Sequence, residues 1–172
     1  MMEASPLAAL CFREPREADA AAMWRTVRDS GVLDPNSPYC YLLLCRDFAS
    51  TCAVAEVADE VVGFVTAYVP PNQPDTLFVW QIGVAETFRN NRIATLLLAQ
   101  LLGREACRGI THIETTITPS NHASRALFEG LARPLGAALT EVPGFGAELF
   151  PEAGHEPEIR YRIGPLGGPD TR

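Results

Sequence analysis

Residues 77–108 read LFVWQIGVAETFRNNRIATLLLAQLLGREACR. Leu77, Phe78, Val79, Trp80, Ile82 and Val84 make a β-branched and aromatic run of strand length. A helical pattern follows, with Ile93, Leu96, Leu97, Leu101 and Leu102 on one side, together with Ala99 or Gln100. The pattern predicts a long helix stopped by Gly109, with Arg104 and Arg108 in its last turns, where cations suit the macrodipole. Between strand and helix lies Arg89-Asn90-Asn91-Arg92-Ile93-Ala94. Unsatisfied N–H groups at such a helix start, aided by the dipole and two arginines, can wrap a pyrophosphate. A connection that is merely polar is the alternative, and the loop taken alone favours it.

Toward the N-terminus, Leu10–Arg13 reads as a short strand closed by Pro15. Glu17–Ser30 reads as a helix with Ala21, Trp24 and Val27 on one face and Gly31 as its stop. The turn-rich Leu33–Pro38 offers Asn36 or Ser37 as cap for a helix over Tyr39–Phe48. That helix is apolar nearly all round, which predicts burial on several sides. Thr51–Val57 and Val61–Tyr68 are β-rich and joined by Ala58-Asp59-Glu60, a hairpin signal. Gly63 inside the second run points to a bulge or a close backbone approach. Pro70–Asp75 is a loop.

Beyond the long helix, His112–Ile117 is a strand, Thr118–Asn121 a turn, and Ala123–Leu131 a helix. Leu139–Val142 reads as a strand, Pro143–Gly154 as a Gly/Pro-rich loop carrying Phe145 and Phe150, and Glu158–Ile163 as the last strand. Residues 1–9 and 165–172 read as loose tails. A hairpin plus a strand-helix-strand unit predicts an α/β chain of the α+β type. Its expected architecture is a mixed central sheet of six to seven strands with helices on both faces, in a single domain over residues 1–172.

At 172 residues such a domain buries about 70% of its unfolded surface. The 47% hydrophobic and 20% charged content is that of an ordinary globular chain. A net charge of −7 offers nucleic acid or an anionic membrane no general attraction, so neither is an expected partner. Cys11, Cys40, Cys45, Cys52 and Cys107 are odd in number and form no C-x-x-C pair. They suggest a reducing compartment and neither disulfides nor a zinc site, so no metal is expected. No run of about 18 apolar residues appears, and the start lacks a basic n-region, so a cytoplasmic location is the default.

The element order resembles the GNAT superfamily of acyl-CoA-dependent N-acetyltransferases. In that superfamily the loop usually reads Arg/Gln-x-x-Gly-x-Gly/Ala and holds the CoA pyrophosphate. Here Arg89, Arg92 and Ala94 take the three marked positions, so arginine replaces the middle glycine. Asn90 and Asn91 beside it tolerate positive φ better than most residues. The resemblance implies that this loop, with Ile93 and Thr95, binds acetyl-CoA. Thr118–Phe128 resembles the superfamily's Asn-x-x-Ala/Ser-x-x-Leu-Tyr helix, which supports the cysteamine end of CoA through positions matching Asn121, Ser124 and Phe128. A closer resemblance, to the L-2,4-diaminobutyrate acetyltransferases, rests on four stretches in order: Leu33–Cys45, Trp80–Val84, Thr116–Asn121 and His155–Glu158. It implies N4-acetylation of diaminobutyrate in ectoine biosynthesis, acetyl-CoA as co-substrate, and homodimerisation.

Acetyl transfer to an amine needs a neutral amine, a polarised thioester carbonyl and a proton for the departing thiolate. Family resemblance assigns the carbonyl to backbone N–H groups at Ile82, Gly83 and Val84, with Gly83 serving either a bulge or close packing. The usual tyrosine acid is Phe128 here, which has no proton to give. Either another hydroxyl serves (Tyr39, Tyr41 or Ser124), or the thiolate leaves unassisted. Glu158, His155 and Tyr41 are the candidates for handling protons, with Glu114 a second base candidate. Asp34 and Glu158 are expected to accept the substrate's ammonium groups, and Trp80 to wall its carbon chain or present a cation–π face. The helix start at Asn36, Ser37 and Tyr39 is expected to receive its carboxylate. The alternatives are an acetyltransferase for another small amine or polyamine, and a non-catalytic acyl-CoA-binding module.

Overall fold

The computed structural model describes residues 9–167. Most of the two tail segments expected to be loose therefore lies outside the described residues. The strands are β1 (Cys11–Arg13), β2 (Ala53–Val57), β3 (Glu60–Tyr68), β4 (Thr76–Val84), β5 (His112–Ile117), β6 (Ala138–Phe145) and β7 (Glu158–Gly164). The α-helices are α1 (Ala20–Ser30), α2 (Pro38–Asp47), α3 (Ile93–Leu102) and α4 (His122–Ala132). The strands form one mixed sheet in the order β1-β2-β3-β4-β5-β7-β6, with β4 and β5 parallel. The chain clusters into two compact units, Met1–Tyr68 with Gln81–Arg108, and Val69–Trp80 with Gly109–Arg172.

In the first unit the β2–β3 hairpin closes through Ala58 and Asp59, both left-handed at φ 50° and 67°. Two successive positive φ values are what a two-residue turn needs to match the strand twist. Two opposite faces of the sheet are covered. Phe64 packs with Met23 and Val27 of α1 and with Tyr41 and Cys45 of α2. A side chain on the neighbouring Gly63 would instead meet Ile93 and Leu97 of α3, each at 3.2–3.5 Å. Adjacent strand residues point to opposite faces, so α1 and α2 lie on one side and α3 on the other. Gly63 therefore makes the close approach its position suggested, and the β2–β3 register also shifts beside it, between Ala55↔Gly63 and Glu56↔Val61. Each large side chain fully buried in this core contributes about 1.5–3 kcal/mol.

Three helix readings need correction. The buried face of α1 is Ala20, Met23 and Val27; Ala21 is exposed, and the first turn, Glu17–Asp19, is 3-10. Helix α2 buries one side only, through Tyr41, Leu44 and Cys45, and leaves Tyr39 64% and Leu42 42% exposed. Helix α3 stops at Gly103, six residues before Gly109. There the chain turns away: Glu105–Cys107 is a 3-10 turn, and the Arg104 guanidinium donates to the Cys52 carbonyl.

In the second unit β4 and β5 pair from Thr76↔His112 to Val79↔Thr115, and β7 lies antiparallel between β5 and β6. Buried Glu114 meets Arg162 at 2.8 Å and Arg160 at 3.6 Å. Its two carboxylate oxygens are thereby committed to guanidinium groups, which makes it a clamp between β5 and β7 and corrects its reading as a base. Strand β6 runs to Phe145, past the expected Val142, because Phe145 still pairs with Glu158 beyond a register shift. Leu166, expected in the tail, donates its N–H to the Thr111 carbonyl at 2.7 Å. Among the described residues no helix is long and apolar enough to cross a membrane.

Candidate active site

The connection from β4 to α3 begins with a 3-10 turn at Glu86–Phe88. Asn91 Nδ2 then donates to the carbonyls of Phe88 and Arg89, both at 3.1 Å, and folds the loop on itself. Asn90 and Arg92 are left-handed, at φ 66° and 60°. Arg92, standing where the superfamily has glycine, thus adopts the conformation that glycine would supply, as the N-cap of α3. No side chain caps this helix, and the first intrahelical bond of its start is Leu96 N–H to the Arg92 carbonyl. The N–H groups of Ile93, Ala94 and Thr95 are left to point out of the helix start. With Arg89 and Arg92 exposed beside them, this end offers directed donors, positive dipole and two exposed cations, which fits a pyrophosphate. Arg89 is also tethered, its Nε 3.4 Å from the Val84 carbonyl.

On β4, Gln81 and Gly83 face the α1 side. A side chain at Gly83 would lie 2.7 Å from the Phe64 ring and 3.2 Å from Thr26 Cγ2. Of its two expected roles, close packing is the one this geometry favours. Ile82 and Val84 are half-buried on the alternate face. Gln81 is buried and at the centre of a polar network in the same unit. The Tyr41 hydroxyl donates to its Oε1 at 2.8 Å, and its Nε2 donates to the Asp34 carbonyl at 2.9 Å. The Thr66 hydroxyl accepts from the Gln81 N–H at 3.1 Å and reaches its carbonyl at 3.3 Å.

This network corrects the reading of Tyr41 as a proton donor. Its side chain is fully buried and its proton is committed to Gln81. Burial raises its pKa, with hydrogen bonding to Asn36 and Gln81 opposing. Asn36 lends its carbonyl to the Trp24 indole N–H at 3.1 Å, and its amide donates to the Asp34 carbonyl at 3.3 Å. Asp34 and Tyr39 are exposed. Ser37 stands at the N-cap of α2 with no side-chain cap bond; Pro38 has no N–H and the Cys40 N–H donates to the Ser37 carbonyl at 2.9 Å, which leaves the Tyr39 N–H as the donor of that first turn.

In the second unit Asn121 caps α4, its Oδ1 accepting from the Ser124 N–H at 3.1 Å. Asn121 and Ser124 therefore hold the helix start together before any other role. Phe128 is 2% exposed and belongs to the core under α4, a position from which it offers a ligand little surface. Ser120 binds the Glu156 carboxylate through both its N–H and its hydroxyl, which ties the turn before α4 to the loop before β7. That loop carries His155, whose ring stacks on Phe150 at 3.8 Å and 7°. His155 Nδ1 lies 2.6 Å from the Glu156 carbonyl. A carbonyl oxygen only accepts, so Nδ1 carries a proton. Glu158 opens β7, and Trp80 is half-buried on β4. Gln81 and Glu156 lie in stretches that carry the family resemblance, but neither had a role assigned from sequence. A glutamine inside an otherwise apolar strand was the signal for the first; the second depends on Ser120, 36 positions away.

All five cysteines are unpaired. Burial pushes the thiols of Cys45 and Cys52 up to about 11 and about 12, so neither is a thiolate near neutral pH.

The acetyltransferase (GNAT) family profile matches residues 13–132. The L-2,4-diaminobutyric acid acetyltransferase of Streptomyces coelicolor is 53% identical over 154 residues, covering 88% of this chain and 91% of the relative. That of Nocardia farcinica is 51% identical over 155 residues, covering 90% and 80%. The diaminobutyrate acetyltransferase of Paenibacillus lautus, solved in complex with its substrate L-2,4-diaminobutyric acid and coenzyme A, superposes with a TM-score of 0.87 at 45% identity, over 91% of this chain and 95% of that one. The uncapped α3 start with its left-handed loop, the mixed seven-stranded sheet and these likenesses agree: the chain belongs to the acetyltransferase (GNAT) family, on the branch of the L-2,4-diaminobutyric acid acetyltransferases.

Proposed function

We propose that this chain, as one acetyltransferase domain, moves the acetyl group of acetyl-CoA to the γ-amine of L-2,4-diaminobutyrate, giving N4-acetyl-diaminobutyrate, a step of ectoine biosynthesis. The observation that carries the reading is the 45% identity and 0.87 TM-score to a structure holding that substrate and coenzyme A. Acetyl-CoA supplies the thioester; the neutral γ-amine attacks its carbonyl carbon, the C–N bond forms, the C–S bond breaks and CoA leaves as thiolate. The α3 start, with Arg89 and Arg92, holds the pyrophosphate. Backbone donors over Ile82–Val84 polarise the carbonyl. The proton of the attacking amine goes to His155 or Glu158, the two remaining candidates for handling protons. With Phe128 unable to donate and Tyr41 sequestered, the thiolate takes its proton from water, which a thiol of ordinary acidity permits. Asp34 and Glu158 together accept the α-ammonium, Trp80 walls the carbon chain, and the backbone N–H groups of Ser37 and Tyr39 take the carboxylate. A homodimer in the cytoplasm is the proposed state.

Thiol release from acetyl-CoA, with and without diaminobutyrate, tests the reading, with the product identified by NMR. Diaminobutyrate-dependent release with N4-acetyl product is expected. Faster turnover of a polyamine or another small amine would replace the substrate, and acetyl-CoA binding without turnover would make the chain a binding module. Sedimentation velocity checks the dimer.

A further inference from the structure

The segment Val32–Ser37 carries Asp34, yet it holds no helix or strand of its own. Its position is set by side chains from elsewhere in the unit. Trp24 donates to the Asn36 carbonyl, and Gln81 Nε2 donates to the Asp34 carbonyl. Gln81 stands on β4, one residue from Trp80 and in the strand that carries Ile82–Val84. A primary amide is ambiguous by itself, because its oxygen and nitrogen exchange places on a half-turn. Here the ambiguity is removed by the Asp34 carbonyl, which only accepts: Nε2 must face it, and Oε1 takes the proton of the fully buried Tyr41 hydroxyl. Thr66 holds the backbone of the same glutamine through one hydroxyl. A buried polar cluster satisfied in this way is rigid, since each bond lost strands its partner.

We infer that Gln81 is a positioning residue for substrate selection: held between the Tyr41 hydroxyl and the Asp34 carbonyl, it sets the Asp34 backbone, and hence the exposed Asp34 carboxylate, at the height on β4 where a short diamino acid presents its ammonium. This rests on the proposed role of Asp34. The device explains why a glutamine occupies a strand that is otherwise apolar from Leu77 to Val84. An apolar residue would fill the space but would leave the Asp34 carbonyl and the Tyr41 hydroxyl without these partners. It also explains a tyrosine fully buried on a helix whose other tyrosine is exposed.

The variants are Gln81→Met, Tyr41→Phe, Asp34→Asn and the pair Asp34→Asn with Gln81→Met, each checked for folding by circular dichroism and by calorimetric acetyl-CoA binding. Gln81→Met is expected to raise KM for diaminobutyrate about tenfold or more while leaving kcat and acetyl-CoA affinity within about twofold. Tyr41→Phe, which removes one of the two bonds that hold the amide, is expected to shift KM in the same direction by less. The decisive readout is the pair: because Gln81 acts through Asp34, the double variant should be little worse than Asp34→Asn alone. Losses that multiply, or a fall in kcat and acetyl-CoA binding together, mean a merely structural glutamine and overturn the inference. Should Gln81→Met not fold, a parent-like KM in Tyr41→Phe overturns it equally. A parent-like KM in Asp34→Asn removes the Asp34 assignment and this inference with it.

Discussion

Arg92→Gly and Arg92→Ala, made side by side, separate the backbone of the phosphate loop from its charge. Arg92 sits at φ 60°, ψ 15°, where a Cβ crowds the following carbonyl at a cost of roughly 1–2 kcal/mol. Glycine relieves the crowding but adds roughly 0.5–1 kcal/mol of chain entropy to the unfolded state. The difference leaves the glycine variant about 0.5–1 kcal/mol more stable than the alanine variant, which keeps the strain. For a chain of 172 residues, about 2–4 °C of melting temperature per kcal/mol converts this to about 1–4 °C. Affinity moves the other way relative to the parent. Both variants lose a charge-assisted bond to phosphate worth about 1.5–3 kcal/mol, so both bind acetyl-CoA about 10- to 150-fold more weakly. Thermal melts and calorimetric titration read the two quantities on the same samples. Equal melting temperatures for the glycine and alanine variants would refute the strain argument. Parent-like acetyl-CoA affinity in both, and in Arg89→Ala with Arg92→Ala, would show that the loop is not the phosphate site.

Phe128→Tyr should lose about 1–3 kcal/mol of stability, because the new hydroxyl enters the core below α4, and should not speed turnover; a rate gain of about 10²-fold or more would mean that thiolate protonation limits the native enzyme. Asp34→Asn and Glu158→Gln should each cost about 2–4 kcal/mol in kcat/KM with acetyl-CoA binding intact, and product NMR should find some N2-acetyl isomer; pure N4 product at parent rates would remove both carboxylates from the site. Gly83→Ala should destabilise by about 1–3 kcal/mol, since the added methyl meets a fully buried Phe64 ring that has nowhere to retreat, and an unchanged melting temperature would contradict the packing role. Burial pushes the Asp19 carboxyl up, but hydrogen bonds from the Arg13 guanidinium and the Arg16 N–H outweigh it and hold it below its ordinary 3.8. Its stabilising contribution is therefore complete above about pH 4 and is lost as the pH falls through the lowered value. Asp19→Asn should flatten the acid limb of a melting-temperature profile, and an unaltered limb would remove Asp19 as its cause.

Local chemistry explains what was readable beforehand. His112–Ile117 was delimited to the residue, because a β-branched run between a glycine and a proline turn leaves few alternatives. The hairpin at Ala58-Asp59 and the Asn121 cap are likewise decided within a few residues. The end of α3 was misread because Gly103 and Gly109 compete as stops, and the choice depends on Arg104 reaching Cys52, 52 positions away. The network at Gln81 was invisible for the same reason, its partners lying 40 and 47 positions distant. Tyr41 looked like a free hydroxyl until its burial was known. Of the two asparagines expected to take the left-handed conformation beside the missing glycine, Asn90 does and Asn91 does not, while Arg92 itself adopts it against its own preference.

The bond from the Trp24 indole to the Asn36 carbonyl gives the molecule a built-in optical reporter. Indole emission depends on what its N–H touches and on nearby charge, and the Arg28 guanidinium lies 5.1 Å from the ring centre. There are two tryptophans in all, and the other, Trp80, stands on β4. Replacing Trp80 by phenylalanine therefore leaves a single fluorophore fastened to the segment that carries Asp34. Any opening of that segment withdraws the carbonyl from the indole and changes its emission, so the motion is timed by stopped flow on otherwise unlabelled protein.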